Sequence, residues 1–442
     1  MTGPYDICRA AFRQCGVIEV HDIDDTIDLL RCLVAGRFAR GRNVGVLGGS
    51  GGAAVNFSDA ADTAGLNLAP LGEKTLAVLK ENLPSIGSLQ NPIDYTASFL
   101  SDANDMRFLN SARAMLADPD IHQLAILAAL TAGERFKYLA QGLVSVSKDS
   151  DKPVLVFSST PADAAVAGLE ILATEKIPVM SSPRRAATAM GKLADYADAL
   201  ARRERLVAEA IVAERPLPVL PAGAATLDEH AAKQVLSGFG ITVTHDVLIP
   251  AGTAAGRLPQ GLNFPVAVKI VSKDIAHKSD IGAVKLNVAN DQGLASAVAE
   301  VIAAACKGAP KAQLGGVLVS EMVTDGLEAI IGVVNDPLFG PVVAFGLGGL
   351  LAEVLHDTTY RIAPFGLDTA REMIGELRAS ALFSGVRGQA PRDIDALATT
   401  LVMVSELAWL MRDRIAEMDI NPVLVRPIGQ GAIAADALII LK

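Results

Sequence analysis

Two hydrophobic rhythms alternate along the first half of this chain. Apolar positions recur at helical spacing in PYDICRAAFRQCGV (4–17) and in DIDDTIDLLRCLVAG (22–36); the second stretch opens with acids and stops at Gly36, as a helix should. NVGVLGG (43–49) then reads as a short buried strand entering a glycine turn, and SGGAAVNFSDAADTAG (50–65) as the helix after it. NLAPL, a helix over 73–82 and the loop NPIDYT (91–96) complete a first α/β unit. A second unit starts near residue 99, with helices over 103–117, 134–147, 161–174 and 183–206. Between them lie the strands HQLAILAAL (122–130), PVLVFSS (153–159) and IPVMSS (177–182). Strands alternating with helices predict parallel sheets joined by right-handed crossovers.

RPLPVLPAGAA (215–225), rich in proline, glycine and alanine, reads as a linker, and the main boundary is expected there. Beyond it, TLDEHAAKQVLSGFG (226–240) predicts a helix capped by Thr226, with Glu229 closing a capping box. FPVAVK (264–269), VLVSEMV (317–323) and PVVAF (341–345) read as strands, and MDINPVLV (418–425) and AIAADALIIL (432–441) as a strand pair joined by RPIGQG. The expected organisation is α/β throughout: residues 1–98 and 99–214 as two flavodoxin-like units, the first without its opening strand and so with an unpaired sheet edge, a linker at 215–225, and a third domain over 226–442.

Composition narrows the class. A chain of 442 residues is too long for one core and suits about three domains. Hydrophobic residues make up 51% and aromatics only 4%, the balance of covered parallel strands. With a net charge of −10 and no Lys/Arg cluster, nucleic acid is not an expected partner, although local lysines and helix N-termini still grip small anions. Cys8, Cys15, Cys32 and Cys306 are scattered without a CxxC pair, which argues for reduced thiols and against zinc. Charges interrupt the apolar runs before membrane-spanning length and residues 1–30 carry no signal-peptide pattern, so the expected location is the cytoplasm.

The chemistry-bearing residues cluster in the back half. Lys269 ends an apolar strand and suits a phosphate as a point charge, or serves as a solvated strand-end lysine. Glu321 ends a strand ahead of Met322 and Val323, and Glu328 follows in GLEAIIGVV; each acid alone reads equally as a surface carboxylate. In FGLGG (345–349), Gly346, Gly348 and Gly349 allow close backbone approach to phosphate. Glu353, Asp357 and Arg361 follow; Arg361 suits either a bidentate anion clamp or an ordinary salt bridge. On the final strand pair, Asn421 and Asp436 would lie side by side and offer oxygen to Mg²⁺, the alternative being a hairpin with polar ends. His277, in the polar loop IAHKSDIG, is either inert or a phosphoryl carrier, since neutral imidazole is nucleophilic.

HKSDIGAVKLN, EMVTDGLEAIIGVVNDPLFGPVVAFGLGG, RIAP around Arg361 and MDINPVLV resemble the ATP-grasp portion of the ADP-forming acyl-CoA synthetases, relatives of succinyl-CoA synthetase. GVIEVHDIDDTIDLL, NVGVLGGSGGAAVNFSDAADTAGLNL, SIGSLQNPIDYT and IPVMSSPRRAATAM resemble their two α-type ligase domains, so the resemblance covers essentially the whole chain. It implies a fold of two flavodoxin-like ligase domains followed by an ATP-grasp domain. The implied activity joins a carboxylic acid to CoA with ATP, releasing ADP and phosphate through acyl phosphate and phosphohistidine; acetate, a short acid or ferulate would all serve. It further implies that adenine packs at Glu321, Met322 and Val323, that Glu328 faces the ribose or metal, that His277 receives phosphate, and that the helix opening at Ser50, Gly51 and Gly52 holds the phosphohistidine, with a second such helix near Ser158, Ser159 and Thr160. Full-length members begin with a CoA-binding domain and a primary catalytic histidine that these residues do not match: either another chain supplies these parts, or the start is truncated, or the protein works differently. Related assemblies imply a homo- or hetero-oligomer. Two other readings are a carboxylate–amine ligase of the ATP-grasp class and a non-catalytic nucleotide- or CoA-binding regulator.

Overall fold

The computed structural model describes residues 4–85, 87–96, 105–209, 212, 215–221, 225–253, 256–275, 278–349, 357–386 and 388–442. The chain forms two compact units, one of Cys15–Arg203 and one joining Met1–Gln14 to Glu204–Lys442. No helix among the described residues is long and apolar enough to cross a membrane.

In the first unit, α2 (Ile23–Val34) precedes β1 (Asn43–Gly48), α3 (Gly51–Thr63), β2 (Asn67–Leu68), α4 (Glu73–Asn82), β3 (Ile93–Asp94), α5 (Arg107–Ala117), β4 (Gln123–Leu127), α6 (Gly133–Lys148), β5 (Val154–Phe157), α7 (Val166–Thr174), β6 (Val179–Met180) and α8 (Pro183–Glu209), which leads out of the unit. The strands make one six-stranded parallel sheet in the order β2-β1-β4-β5-β6, with β3 also beside β1. Alternation sends Leu47, Ile126 and Val156 to one apolar layer with Phe108 and Phe136, and Val46, Leu127 and Leu155 to the other with Phe57 and Met190. Both faces are covered, which is why these strands read as unbroken apolar runs.

This sheet differs from the expected division at 98/99. Val44–Gly48 pair with Gln123–Leu127, so strands from both segments share one ladder. The reason is the edge itself: β1 has β2 and β3 on one side, and β4 satisfies the backbone groups on the other. The expected unpaired edge is therefore not found at β1. Two helix starts also differ. Residues 162–164 form a single 3₁₀ turn and α7 begins only at Val166, so no α-helix starts at Ser158–Thr160. Thr160 instead donates its hydroxyl to the Thr131 carbonyl at 2.7 Å, just ahead of α6.

The second unit contains α1 (Pro4–Cys15), and in its larger part β7 (Thr226–Leu227), α9 (Glu229–Gly238), β8 (Asp246–Pro250), β9 (Val266–Val271), β10 (Val284–Val288), α10 (Asp291–Gly308), β11 (Gly316–Glu321), β12 (Leu327–Asp336), β13 (Gly340–Leu347), β14 (Thr358–Ile362), α11 (Leu367–Gly375), α12 (Ile394–Leu410), β15 (Ile415–Val425), β16 (Ala432–Ala434) and β17 (Ala437–Leu441). It has two lobes. The small lobe is an antiparallel sheet, β10-β9-β11-β8, packed on α10 through Val266, Val268, Ile270, Leu294 and Val301. The large lobe is a seven-stranded sheet, β14-β13-β12-β15-β17-β7 with β16 beside β15, covered on one face by α9, α11 and α12. The N-terminal helix belongs here rather than with the first α/β unit: the Gln14 carboxamide accepts from the Ile362 N–H at 2.7 Å and donates to the Ile362 carbonyl at 3.0 Å, pairing the edge of β14 as a strand residue would.

Candidate functional site

The site begins on β9. Val266, Val268 and Ile270 face the small-lobe core, so period two turns Lys269 to the opposite face. There Lys269 is 8% exposed and its Nζ meets Glu229 Oε1 at 2.6 Å, the Ala435 carbonyl at 3.0 Å and Asp436 Oδ2 at 3.3 Å. The solvated strand-end alternative therefore does not hold. Lys278 donates to the other Glu229 oxygen and stands 3.7 Å from Asp436 Oδ1. Lys233, one helical turn after Glu229, donates to Glu229 Oε1 at 3.1 Å, Thr244 Oγ1 at 2.8 Å and Asp246 Oδ2 at 2.7 Å. Three ammonium groups thus surround one carboxylate that is 1% exposed.

Electrostatics follow from this arrangement. Burial alone would push the Glu229 carboxyl up; Lys269, Lys278 and Lys233 outweigh it and hold the carboxyl far below the ordinary carboxylate range. Burial likewise works against the Lys269 ammonium, and Glu229 and Asp436 reverse it, keeping that group charged well beyond its usual range. Asp436 goes the other way: burial and then the Glu229 charge raise it, against the pull of the lysines.

The capping-box expectation for Glu229 is corrected here. Thr226 lies in β7 against Ile440, and Asp228 is the N-cap of α9, accepting from the Ala231 N–H at 3.0 Å. A cap at 228 turns Glu229 inward onto the helix face that carries Ala232, Lys233 and Leu236.

Sheet register assembles the rest of the site on the large lobe. Gly346 pairs with Ile330 and Glu328 with Leu424, while β15 bulges at Asn421–Pro422 opposite Ile330. The Asn421 N–H donates to the Asp436 carbonyl at 3.2 Å, so these two residues lie side by side as expected. The Gly348 N–H donates to the Glu328 carbonyl at 2.8 Å. Gly349 has φ +61°, and a Cβ there would sit 2.7 Å from Glu328 Oε2; a Cβ on Gly346 would meet the Asp357 carbonyl at 2.9 Å. Close backbone approach explains why these positions are glycine. The exposed Glu328 carboxylate thus borders the glycine loop.

Other expected residues fare differently. Glu321, at the end of β11 ahead of the half-buried Met322 and Val323, accepts from the His245 N–H at 2.8 Å while its own N–H donates to His245 O at 3.0 Å. Its carboxylate is engaged in closing the strand pair. Arg361 is 4% exposed and paired with Glu376 at 2.5 Å, so the salt-bridge alternative, not the anion clamp, is what the structure contains. The cause is its position on the core face of β14, where Glu372 of α11 and Glu376 just after it offer counter-charges. Asp357 accepts from the Ala379 N–H at 3.0 Å. His277 and Glu353 lie outside the described residues. In the first unit, Ser50 caps α3, its hydroxyl accepting from the Ala53 N–H at 3.3 Å, and Gly51 and Gly52 form an exposed first turn beside Asp94.

For a divalent ion, Asn421 and Asp436 supply adjacent hard oxygen donors, and the Asn421 side chain has no hydrogen-bond partner among the described residues. Two protein oxygens suit Mg²⁺ held chiefly by phosphate. Among the described residues no three His, Cys, Asp or Glu side chains gather into a metal-holding group.

Residues 218–441 match the model of an ATP-grasp domain family. The chain is 34% identical over 96% of its length to an acetate–CoA ligase (ADP-forming) I of Archaeoglobus fulgidus, and covers 61% of that protein. It is 42% identical over 51% of its length to the acetate–CoA ligase (ADP-forming) II subunit beta of Pyrococcus furiosus, covering 95% of it. Among solved structures, a dinucleotide-forming acetyl-coenzyme A synthetase 1 of Ca. Korarchaeum cryptofilum, in complex with coenzyme A and Ca-AMPCP, shares 40% identity over 50% of this chain and 95% of that one, with a TM-score of 0.48. A two-lobed ATP-grasp unit is thus the class of domain that carries the site. The chain belongs to the family of ADP-forming acetate–CoA ligases. It spans about three-fifths of the length of the Archaeoglobus relative.

Proposed function

We propose that this chain binds Mg-ATP between the two lobes of its second unit and moves the γ-phosphoryl group during acyl-CoA formation, with a short carboxylic acid such as acetate and CoA as the other substrates and ADP and phosphate as products. The observation that carries the reading is Lys269, a buried cation on β9 whose ammonium reaches across to Asp436 on the large lobe. Lys269 and Lys278 face the phosphates, and the glycines at 346, 348 and 349 let the backbone approach them closely. Asn421 and Asp436 would hold the magnesium ion. When bound, that ion neutralises phosphate charge and keeps the terminal phosphorus open to in-line attack. Met322 and Val323, between the lobes, pack against the adenine.

His277 supplies the nucleophile. Its neutral ring nitrogen attacks the γ-phosphorus, the bond from phosphorus to the bridging oxygen breaks, and ADP leaves with that electron pair. The first turn of α3, with Ser50 capping it and Gly51 and Gly52 open to solvent, suits a phosphohistidine, because the N–H groups of a helix N-terminus and the helix dipole favour an anion. A CoA-binding domain completes the reaction, in the cytoplasm, where ATP and CoA meet.

Incubation of the purified chain with γ-labelled ATP and Mg²⁺ tests this. The expected result is acid-labile label that is absent from His277→Ala. ATP bound without any transfer of label would reduce the protein to a nucleotide-binding regulator.

A further inference from the structure

Glu229 has no part in the reading above, yet the site's cations converge on it. Its two oxygens are divided: Oε1 takes Lys269 and Lys233, and Oε2 takes Lys278. The three lysines come from separate pieces of chain, α9, β9 and the turn after residue 277. The remaining acids around the group are unlike it. Asp246 is held by Lys233 and Thr244. Asp436 stands farther off, at 3.3 Å from Lys269 and 3.7 Å from Lys278, and its side chain is 30% exposed where that of Glu229 is 0%.

Two carboxylates on the same pair of ammonium groups therefore differ in exchangeability. A carboxylate without solvent, in short contact with three cations, has no better environment to move to; a longer, partly exposed contact gives way to a stronger anion. We propose that Glu229 is a positioning residue: it clamps Lys269 and Lys278 at a fixed spacing, and the incoming polyphosphate replaces Asp436, not Glu229, as their second partner. This rests on the ATP-binding reading of the site. It places the specificity for a phosphate chain in a residue that never touches it.

The test is binding of ATP and of adenosine to the full-length chain, by calorimetry, for wild type, Glu229→Gln and Glu229→Asp. Glu229→Gln is expected to weaken ATP by 10-fold or more and to leave adenosine within about 2-fold, because only the phosphate-facing cations lose their spacing. Glu229→Asp, which keeps the charge on a shorter stem, is expected to restore part of the ATP affinity; it also keeps the three lysines countered, so it answers the question if Glu229→Gln does not fold. Equal loss of ATP and adenosine in the variants would make Glu229 a purely structural residue and overturn the proposal. So would tighter ATP binding by Glu229→Gln, which is what a mere opposing charge beside the phosphates predicts. Failure of the wild type itself to bind ATP would overturn the ATP reading and this inference together, whereas ATP binding unchanged by both variants would overturn the inference alone.

Discussion

Positions 229, 232, 233 and 236 of α9 lie on one buried helix face, and two of them, Glu229 and Lys233, are charged. Apolar neighbours leave such charges no water, so they persist only as a mutually neutralising group. That makes Glu229 a stability element with a definite pH sign. Its folded pKa lies below the ordinary 4.5, so its contribution is fully present above that value and is lost as pH falls through the acid range toward the folded value. Urea midpoints measured from pH 7 down to about pH 3 should therefore fall for wild type, and fall less for Glu229→Gln. At pH 7 the same substitution strands three ammonium groups and should cost about 3–5 kcal/mol, read from the same titrations. Gly349 offers a sharper test of backbone demand. At φ +61°, with Glu328 Oε2 2.7 Å from where a Cβ would stand, Gly349→Ala should cost about 1–2 kcal/mol of stability. If the variant melts with wild type, the close approach of the glycine loop to β12 is wrong.

Elements were legible where one rhythm dominated. The apolar run at 264–269 gave β9 and the stretch around 73–82 gave α4, whereas the run 432–441, expected as one strand, is broken at Ala435–Asp436 into β16 and β17. Element starts were harder, because capping chemistry is ambiguous. Thr226 followed by Glu229 fits a capping box as well as Asp228 fits a simple N-cap, and only the pairing of Thr226 with Ile440 decides between them. Asp228→Ala should therefore cost about 1 kcal/mol while Thr226→Ala stays within about 0.5 kcal/mol, measured as urea midpoints at constant slope. The candidate site was half legible for a related reason. Asn421 and Asp436 interrupt apolar strands, and such breaks are visible in a sequence, whereas Lys269, expected at a strand end, lies inside β9, which runs on to Val271. The cluster around Glu229 was not, since its partners come from Lys233, Lys269, Lys278 and Asp246, up to about fifty residues apart, and only the fold brings them together. The signal in the sequence, two charges on an apolar helix stripe, reads equally as a cap. Arg361 failed in the opposite direction: a lone arginine after a glycine loop suggested an anion, whereas alternation along β14 puts it on the buried face with Glu376.

A chain with a net charge of −10 concentrates positive charge by local means, placing three lysines on one buried glutamate in a unit that is compact in its own right. The other unit, Cys15–Arg203, has a separate sheet and its own two apolar layers. Separate cores need not melt together, and a ligand stabilises only the cooperative body that binds it. Calorimetric unfolding should accordingly resolve two transitions. Mg-ATP at about 100 times its dissociation constant adds about 2.7 kcal/mol to the binding body alone, so one transition moves up by several degrees and the other stays. Substitutions identify which is which. Ser50→Ala removes the cap of α3 and should lower only the transition that Mg-ATP leaves in place, by about 1 kcal/mol. Gly349→Ala should lower only the one that Mg-ATP raises. If both variants shift the same transition, or if nucleotide raises the two in step, the molecule unfolds as one body and its phosphate chemistry is not confined to the ATP-grasp half.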